Sequence, residues 1–401
     1  MKLRIAVISD LHAHQKDRPS IDPGHAADTN VSYLPANPGP GDPNPFGDLQ
    51  QLISSSGIKA DILICPGDIC DKGDIAGFTY AWKQLHILRG RIGASELIAT
   101  CGNHDLDSRY STPPSDDDPD PKGNLLQAEP PFPFGDIPET DQFWARNFAT
   151  IRVNSEVRVI SLNTSAYHGG KKGELEYGRV SHRTIKALVK TIEEDPQNAS
   201  LNILLCHHHL QPLHSWGNTI DDLQHVRKGT DLVTALTKAT GSAWLVIHGH
   251  RHIPNISHST SPPVAMLGAG SFSRIGDTFT NQFHIIDVEV DPLSTTMPLC
   301  GEIRSWNWSR SNGWAVYLDP TKGLPPQCGF GYPGAVQGLV PKILNALGVE
   351  PFLYWDTMLQ AVPELRYLTP DQWKGLSKEF LSKGLVVADV SGLPSQIARK
   401  R

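Results

Sequence analysis

The sequence predicts an α/β fold, and three observations predict it. Short apolar runs recur along residues 1–290, helical patterns lie between many of them, and five of the runs end in a segment rich in carboxylates or histidines. Leu3 to Ile8 is apolar on both alternating faces, which suits a central strand covered on both sides. Ile62 to Cys65, Leu97 to Ala99, Val157 to Leu162, Ile203 to Cys206 and Trp244 to Ile247 read the same way. The clearest helix begins after Ser181, a natural N-cap, with Ile185, Leu188, Val189 and Ile192 on one face. Val264 to Leu267 and Phe283 to Val290 have no helix between them, so the second half is expected to close with antiparallel strands.

Two stretches break the pattern. Residues 13–48 and 106–141 hold 15 of the 32 prolines, a density that argues against regular helix or central strand. They are expected to be long loops, either lids or disordered, and the second carries Asp116, Asp117, Asp118 and Asp120. Residues 1–315 are expected to form the main domain and 316–334 a Gly/Pro-rich linker, with a small, mainly helical region of unassigned role at 335–401. In that last region Thr369-Pro370-Asp371-Gln372 reads as a capping box, Trp373, Leu376 and Phe380 share a face, and Gly384 stops the helix. With Trp355, these aromatics either pack onto the main domain or present a surface for a protein partner or a second copy.

Composition narrows the classes of function. The 401 residues are 39% hydrophobic, enough for a sizeable core, and 42 acidic against 36 basic residues give a net charge of −6. That balance disfavours a protein that coats nucleic acid electrostatically. No apolar run reaches the roughly 20 residues of a membrane span, and no signal peptide is evident. The six cysteines lack disulfide or zinc-ribbon spacing. Cys65, Cys101 and Cys206 end apolar runs and read as buried thiols, so the expected location is the cytoplasm.

The chemistry gathers in five segments: Asp10-Leu11-His12, Gly67-Asp68-Ile69-Cys70-Asp71, Gly102-Asn103-His104-Asp105, Cys206-His207-His208-His209 and Gly249-His250-Arg251-His252. Each follows an apolar run, where an α/β sheet places its site. Singly, a Gly-Asp is often a turn and a lone histidine often a hydrogen-bonded core residue; five in order are not. Alternate side chains of an extended segment point the same way, so Asp10 and His12 can grip one ion together, and His250 and His252 can reach a common centre. Mixed carboxylate and imidazole donors suit Mn, Fe, Zn or Co rather than calcium. Gly67, Gly102 and Gly249 allow the backbone to bend beside a crowded site.

The ordered set Asp-x-His, Gly-Asp-x-x-Asp, Gly-Asn-His-Asp, His and Gly-His-x-His resembles the calcineurin-like metallophosphoesterase superfamily, over about residues 1–315. The resemblance implies a sandwich of two mixed β-sheets flanked by helices, with two divalent or trivalent metal ions at the strand ends. It assigns Asp10, His12, Asp68 and His252 to the first ion, and Asp68, Asn103, His207 and His250 to the second. His104 would approach the leaving group or a non-bridging phosphate oxygen, oriented by Asp71, and a hydroxide bridging the metals would attack in line. Of the three consecutive histidines, His207 follows the strand most directly and is taken as the ligand. His209 would support the ligands or face the substrate, and His208 would pack away. His248 reads as a support residue, and His14 as a possible substrate contact. Asn163, Tyr167 and His168 either face the substrate or cap a turn.

Protein serine/threonine phosphatases of this superfamily carry arginine after the second aspartate of Gly-Asp-x-x-Asp, whereas this chain has Lys72, a point charge rather than a fork. That weakens a phosphoprotein-phosphatase reading. The Asn103-His104 pair, the free-standing Gly-His-x-His and long loops able to lid a small ligand make a phosphodiesterase acting on a nucleotide-type ester, such as a cyclic nucleotide, or a related small phosphodiester the leading expectation. A phosphomonoesterase comes second and a nuclease third, since the second loop is acidic. An adaptor working through 335–401 is the expectation of a different class.

Overall fold

The computed structural model describes residues 1–401 except 17–30, 109–119, 170–176, 213, 216–217, 220–223, 277–279, 317–321, 391–392 and 401. Asp116 to Asp118 lie outside the described residues. The elements run β1 (Lys2–Val7), α1 (Pro45–Ser56), β2 (Ile62–Cys65), α2 (Ile75–Ile92), β3 (Glu96–Ala99), α3 (Gly123–Leu126) and α4 (Ile137–Arg146). There follow β4 (Phe148–Arg152), β5 (Val157–Leu162), α5 (His182–Glu193), β6 (Leu201–Cys206), a small hairpin of β7 (His214–Ser215) and β8 (Asn218–Thr219), α6 (Gly229–Thr240) and β9 (Ala243–His248). Next come β10 (Asn255–Thr260), β11 (Pro263–Gly268), β12 (Asn281–Val290), β13 (Leu299–Ser309), β14 (Gly313–Ala315) and β15 (Gln327–Phe330). The chain ends with α7 (Leu339–Leu347), β16 (Phe352–Tyr354), α8 (Trp355–Ala361), α9 (Pro370–Ser382), β17 (Leu385–Val390) and β18 (Leu393–Arg399).

Two mixed sheets form the sandwich. The first runs β14-β13-β12-β1-β2-β3 with β15 also on β13, and the second runs β10-β11-β9-β6-β5-β4. In each the strands that precede the chemical segments are parallel: β1, β2 and β3 in one, β6 and β9 in the other, where β5 also runs parallel to β6. Antiparallel β12 on β1, and β13 on β12, close the first sheet as expected; β11, expected to join them, lies instead in the second sheet, antiparallel to β10 but parallel to β9 after the return through β10. The period of two sorts the second sheet's side chains. Val157, Val159, Leu201, Ile203, Leu205, Leu245 and Ile247 join the core that also contains Ile5, Val7, Leu63 and Ile285 of the first sheet. Ile160, Leu162, Leu204, Trp244 and Val246 instead meet Ile185, Leu188 and Ile192 of α5 and Leu232 and Leu236 of α6.

Two hydroxyls join the sheets where the site begins. Thr100 Oγ1 donates to the Leu162 carbonyl at 2.9 Å, and Ser161 Oγ to the Ala99 carbonyl at 2.7 Å. Both residues are fully buried, so the bonds also satisfy groups that would be costly to leave unpaired. Ser181 caps α5 through a 3.0 Å bond from Thr184 N–H, and Thr369 and Gln372 complete the capping box of α9.

Three expectations change. The Pro-rich stretches are not free of helix: α3 lies within the second, while α1 and α4 start inside the two stretches and run past them. The prolines do not prevent this, because Pro45 and Pro138 fall in a first turn, where a missing N–H breaks no intrahelical bond. Within the expected linker, Cys328 and Phe330 are buried core residues of β15, which pairs with Gly301 to Arg304. Third, Trp355 and Phe380 mainly build a core of the C-terminal region itself, with Leu339, Ile343, Met358, Leu376 and Ile397; that region also carries the antiparallel sheet β16-β18-β17. All six cysteines are free and buried, and among the described residues no helix is long and apolar enough to cross a membrane.

His284 on β12 is fully buried; its Nε2 accepts the Gly270 N–H at 3.3 Å and its Nδ1 lies 2.8 Å from Ser305 Oγ. Burial pushes its ring down to about 3. Below about pH 6.5 the unfolded chain therefore binds a proton that the folded chain refuses, and stability falls by up to about 1.4 kcal/mol per pH unit from this group. His284→Gln should flatten the decline of the melting temperature between pH 6 and 4.5 relative to the natural chain. Parallel declines would contradict this account.

Candidate metal centre

The five chemical segments converge where the carboxyl ends of β1, β2 and β3 meet those of β6 and β9. Asp10 and His12 converge, but not through plain extended backbone. Asp10, His12, Asp68, Lys72, His250 and His252 all take left-handed conformations, with φ between 48° and 77°. Side chains other than glycine rarely do this, at about 1–3 kcal/mol each, and such strain persists only where neighbours enforce it. Here the loops latch together: Asp10 N–H donates to Gly67 O at 3.1 Å, His12 N–H to Asp68 O at 3.0 Å and Asp71 N–H to Ala13 O at 3.0 Å. Two glycines are fixed by close approach. A Cβ at Gly102 would stand 2.2 Å from Asp68 Oδ1, and one at Gly249 would stand 2.4 Å from Asp10 Oδ2.

The donor atoms form two groups that share Asp68. In the first, His12 Nε2 is 3.2 Å from His252 Nε2 and 3.6 Å from Asp68 Oδ2, and His252 Nε2 is 3.2 Å from Asp10 Oδ1. In the second, His207 Nε2 is 3.3 Å from the same Asp68 Oδ2 and 2.9 Å from Asn103 Oδ1, and His250 Nδ1 is 3.1 Å from Asn103 Oδ1. Donors bound at about 2.0–2.2 Å around one ion stand about 3.0–3.5 Å from one another, so both groups have the spacing of a coordination shell. His207 Nδ1 lies 3.0 Å from the Pro66 carbonyl, which accepts its proton and leaves the Nε2 lone pair for a metal.

The electrostatics ask for cations. Asp10, Asp68 and Asp105 are all at most 2% exposed. Burial pushes Asp68 up, but the imidazoles of His207, His104 and His12 outweigh it and hold the carboxyl well below its usual range. Burial works against charge on His207, yet the Asp68, Asp10 and Asp105 carboxylates raise it to about 9. A proton is thus drawn to a position where a cation would satisfy the same demand. Burial and the Asp68 charge lift Asp105 to about 6. Burial lowers His12 to about 3, the neutral form that a metal takes.

Beside these donors, His104 Nδ1 lies 2.9 Å from Asp71 Oδ1, and His104 N–H donates to Asp68 Oδ1 at 2.8 Å. Asp71 Oδ1 also faces His12 Nδ1 at 3.4 Å. The other expected residues are less central. His208, expected to pack away, groups with His207 and His250; its Nδ1 meets Thr164 Oγ1 at 2.9 Å. His209 is buried, its ring centroid 6.2 Å from that of His250 and 5.9 Å from that of His248. His14 is 3% exposed and meets Ser32 Oγ at 3.1 Å. Lys72 is partly buried beside Asp71. Asn163 caps a turn through Ser165 N–H at 3.0 Å, and His168 Nε2 lies 3.1 Å from the Tyr177 carbonyl.

Two further residues belong to the site, beyond those the motifs assign. Asp105 accepts N–H bonds from Ile69, Cys70 and Gly102 at 2.7, 3.0 and 2.8 Å, clamping the second and third segments together. Its signal was present, as the last letter of Gly-Asn-His-Asp. Arg274 places Nη1 3.7 Å from Asp71 Oδ1 and 3.3 Å from His12 Nδ1, and no motif announces it.

Comparison with known proteins agrees with this geometry. The calcineurin-like phosphoesterase family matches residues 3–267, and a family described as wHTH-Calcineurin_assc matches residues 328–380. No curated protein sequence matches the chain. Among solved structures, a purple acid phosphatase from yellow lupin (Lupinus luteus) seeds is 14% identical with a TM-score of 0.45, the alignment covering 83% of this chain and 54% of the lupin protein. This chain therefore spans about half of that enzyme. A dimetal phosphatase from Danio rerio is 11% identical with a TM-score of 0.48, covering 76% of this chain and 95% of the fish protein. With a match running from β1 through β11 and donors standing at each expected strand end, the chain belongs to the calcineurin-like phosphoesterase family.

Proposed function

We propose that this protein is a metal-dependent phosphodiesterase acting on a nucleotide-type ester. The observation that carries the reading is Asp68 shared between two donor groups, with His104 held next to it by Asp71. Asp10, His12, Asp68 and His252 would hold one cation, and Asp68, Asn103, His207 and His250 a second. Two such ions, Mn, Fe or Zn by donor type, supply Lewis acidity toward phosphoryl oxygens and lower the pKa of water.

The chain's own residues do the rest. Asp71 accepts the Nδ1 proton of His104 and fixes the ring, so that Nε2 can give a proton to the leaving oxygen. The diester preference is supported by charge. A monoester brings a second negative charge, which a guanidinium fork meets best. Here Arg274 is turned to Asp71 and His12, Arg251 donates to Gln224 Oε1 at 2.6 Å, and lysine occupies position 72. A monoanionic diester makes the smaller demand. Six free, buried thiols support a reducing compartment such as the cytoplasm.

Reloaded with Mn²⁺, the protein should hydrolyse bis-p-nitrophenyl phosphate with a higher kcat/KM than p-nitrophenyl phosphate. The opposite order would make it a monoesterase. Asp68→Asn, nearly isosteric, should lower turnover by at least about 100-fold while the far-ultraviolet circular dichroism stays native, and full metal-dependent activity in that variant would refute the site. His104→Ala should lose about 10²–10⁴-fold, most severely on esters with poor leaving groups. Uniform slowing across a leaving-group series would rule out its acid role.

A further inference from the structure

The Asp10-Leu11-His12 segment is held by a further set of contacts that the five motifs do not contain. Two stretches of chain run beside it: residues 31–34, from the first Pro-rich stretch, and residues 271–275, past β11 and beyond the family match at 3–267. The two are joined to each other. Tyr33 N–H donates to the Ser273 carbonyl at 2.7 Å, and Ile275 N–H to the Val31 carbonyl at 3.1 Å. Phe272 N–H donates to the Ser9 carbonyl at 2.8 Å, which sets the second stretch alongside the chain that leaves β1. Each carbonyl of the ligand segment then receives a serine hydroxyl: Asp10 O from Ser271 Oγ at 2.7 Å, Leu11 O from Ser273 Oγ, and His12 O from Ser32 Oγ at 2.7 Å.

These hydroxyls are aimed. A serine has one proton to give and two lone pairs to receive. Ser271 Oγ accepts the Arg274 N–H at 2.9 Å, and Ser32 Oγ accepts the Leu34 N–H at 3.2 Å, so the proton of each goes to its ligand carbonyl. All three serines are buried, as are Asp10 and His12, and losing a hydroxyl would strand a buried acceptor. The backbone they hold is the strained one, with φ of 51° at Asp10 and 48° at His12. Both residues stand in the first donor group, with Asp68 and His252. The second group draws Asn103, His207 and His250 from other loops. The serine bonds therefore act on the backbone of one donor group.

We infer that Ser32, Ser271 and Ser273 are positioning residues for the first ion, holding Asp10 and His12 in the backbone conformation that presents their donor atoms together. The inference rests on the two-ion reading and adds what sets the affinity of one of the two sites. Mn²⁺ titration of the metal-free protein, followed by the electron paramagnetic resonance signal of the unbound ion, tests it without recourse to turnover. His207→Ala removes a donor from the second group and His252→Ala one from the first, so each background reports on the other group. In the His207→Ala background Ser271→Ala should weaken Mn²⁺ binding at least about tenfold, the usual loss when support around metal ligands is removed. In the His252→Ala background the same change should alter binding by less than about threefold. Ser32→Ala, on the other stretch, should show the same split, so the claim does not hang on the folding of one variant. Equal weakening in both backgrounds would mark a general softening of the fold and overturn the inference, and so would no change in either. Fewer than two Mn²⁺ bound by the natural chain would instead remove the two-ion reading, and the inference with it.

Discussion

Carboxylates buried at the seam of two sheets, Asp10, Asp68 and Asp105 among them, are the constraint around which this molecule is organised. Asp10, Asp68 and Asp105 lie at most 2% exposed, and a buried carboxylate is tolerated only with compensating charge or hydrogen bonds. Each finds a different solution. Asp105 spends both oxygens on backbone N–H groups of two neighbouring loops. Asp10 accepts from His250 N–H at 3.0 Å and from Ser9 Oγ at 2.6 Å. Asp68 reaches into both histidine groups and is the point where they meet.

The sandwich exists, in this view, to hold five loops in one register. Parallel β1, β2 and β3 bring three segments to one edge, and parallel β6 and β9 bring two more from the other sheet. Thr100 and Ser161 pin the sheets together beside the site, so that the two donor groups keep their separation. The backbone strain at Asp10, His12, Asp68, His250 and His252 shows that the loops are not relaxed turns. Their conformation is enforced by the latching bonds between the first and second segments and by the near-contact of Gly102 and Gly249 with the Asp68 and Asp10 carboxylates.

Much of this was legible in the sequence, because its signals are local. An apolar run followed by Asp-x-His or Gly-Asp announces both a strand and the chemistry at its end. Period-two reasoning joined Asp10 and His12, which the structure does bring into one group, through left-handed backbone rather than extension; His250 and His252 instead stand in different donor groups. Non-local facts were harder to read. Arg274 reaches the site from a distant loop, and nothing in its neighbours marks it. His208 joins its neighbours because Thr164, 44 positions earlier, turns its ring. The Gly and Pro content around β15 concealed a strand whose buried Cys328 and Phe330 take meaning only against β13. The aromatics of the C-terminal region likewise needed the tertiary fold to show that they face one another.

That region is fastened to the segment around β15 through both backbone and side-chain bonds: Gly329 N–H donates to the Leu368 carbonyl at 2.8 Å, and Gln372 Nε2 donates to the Tyr332 carbonyl at 3.0 Å. The start of α9 is therefore fixed against the segment following β15. The central claim concerns Asp68, and electron paramagnetic resonance of the Mn²⁺-loaded protein tests it most directly. Two Mn²⁺ bound per chain with an exchange-coupled spectrum, converted to an uncoupled one by Asp68→Asn, is the result this account predicts. A single Mn²⁺ per chain, or an isolated six-line signal at full loading of the natural protein, would contradict it.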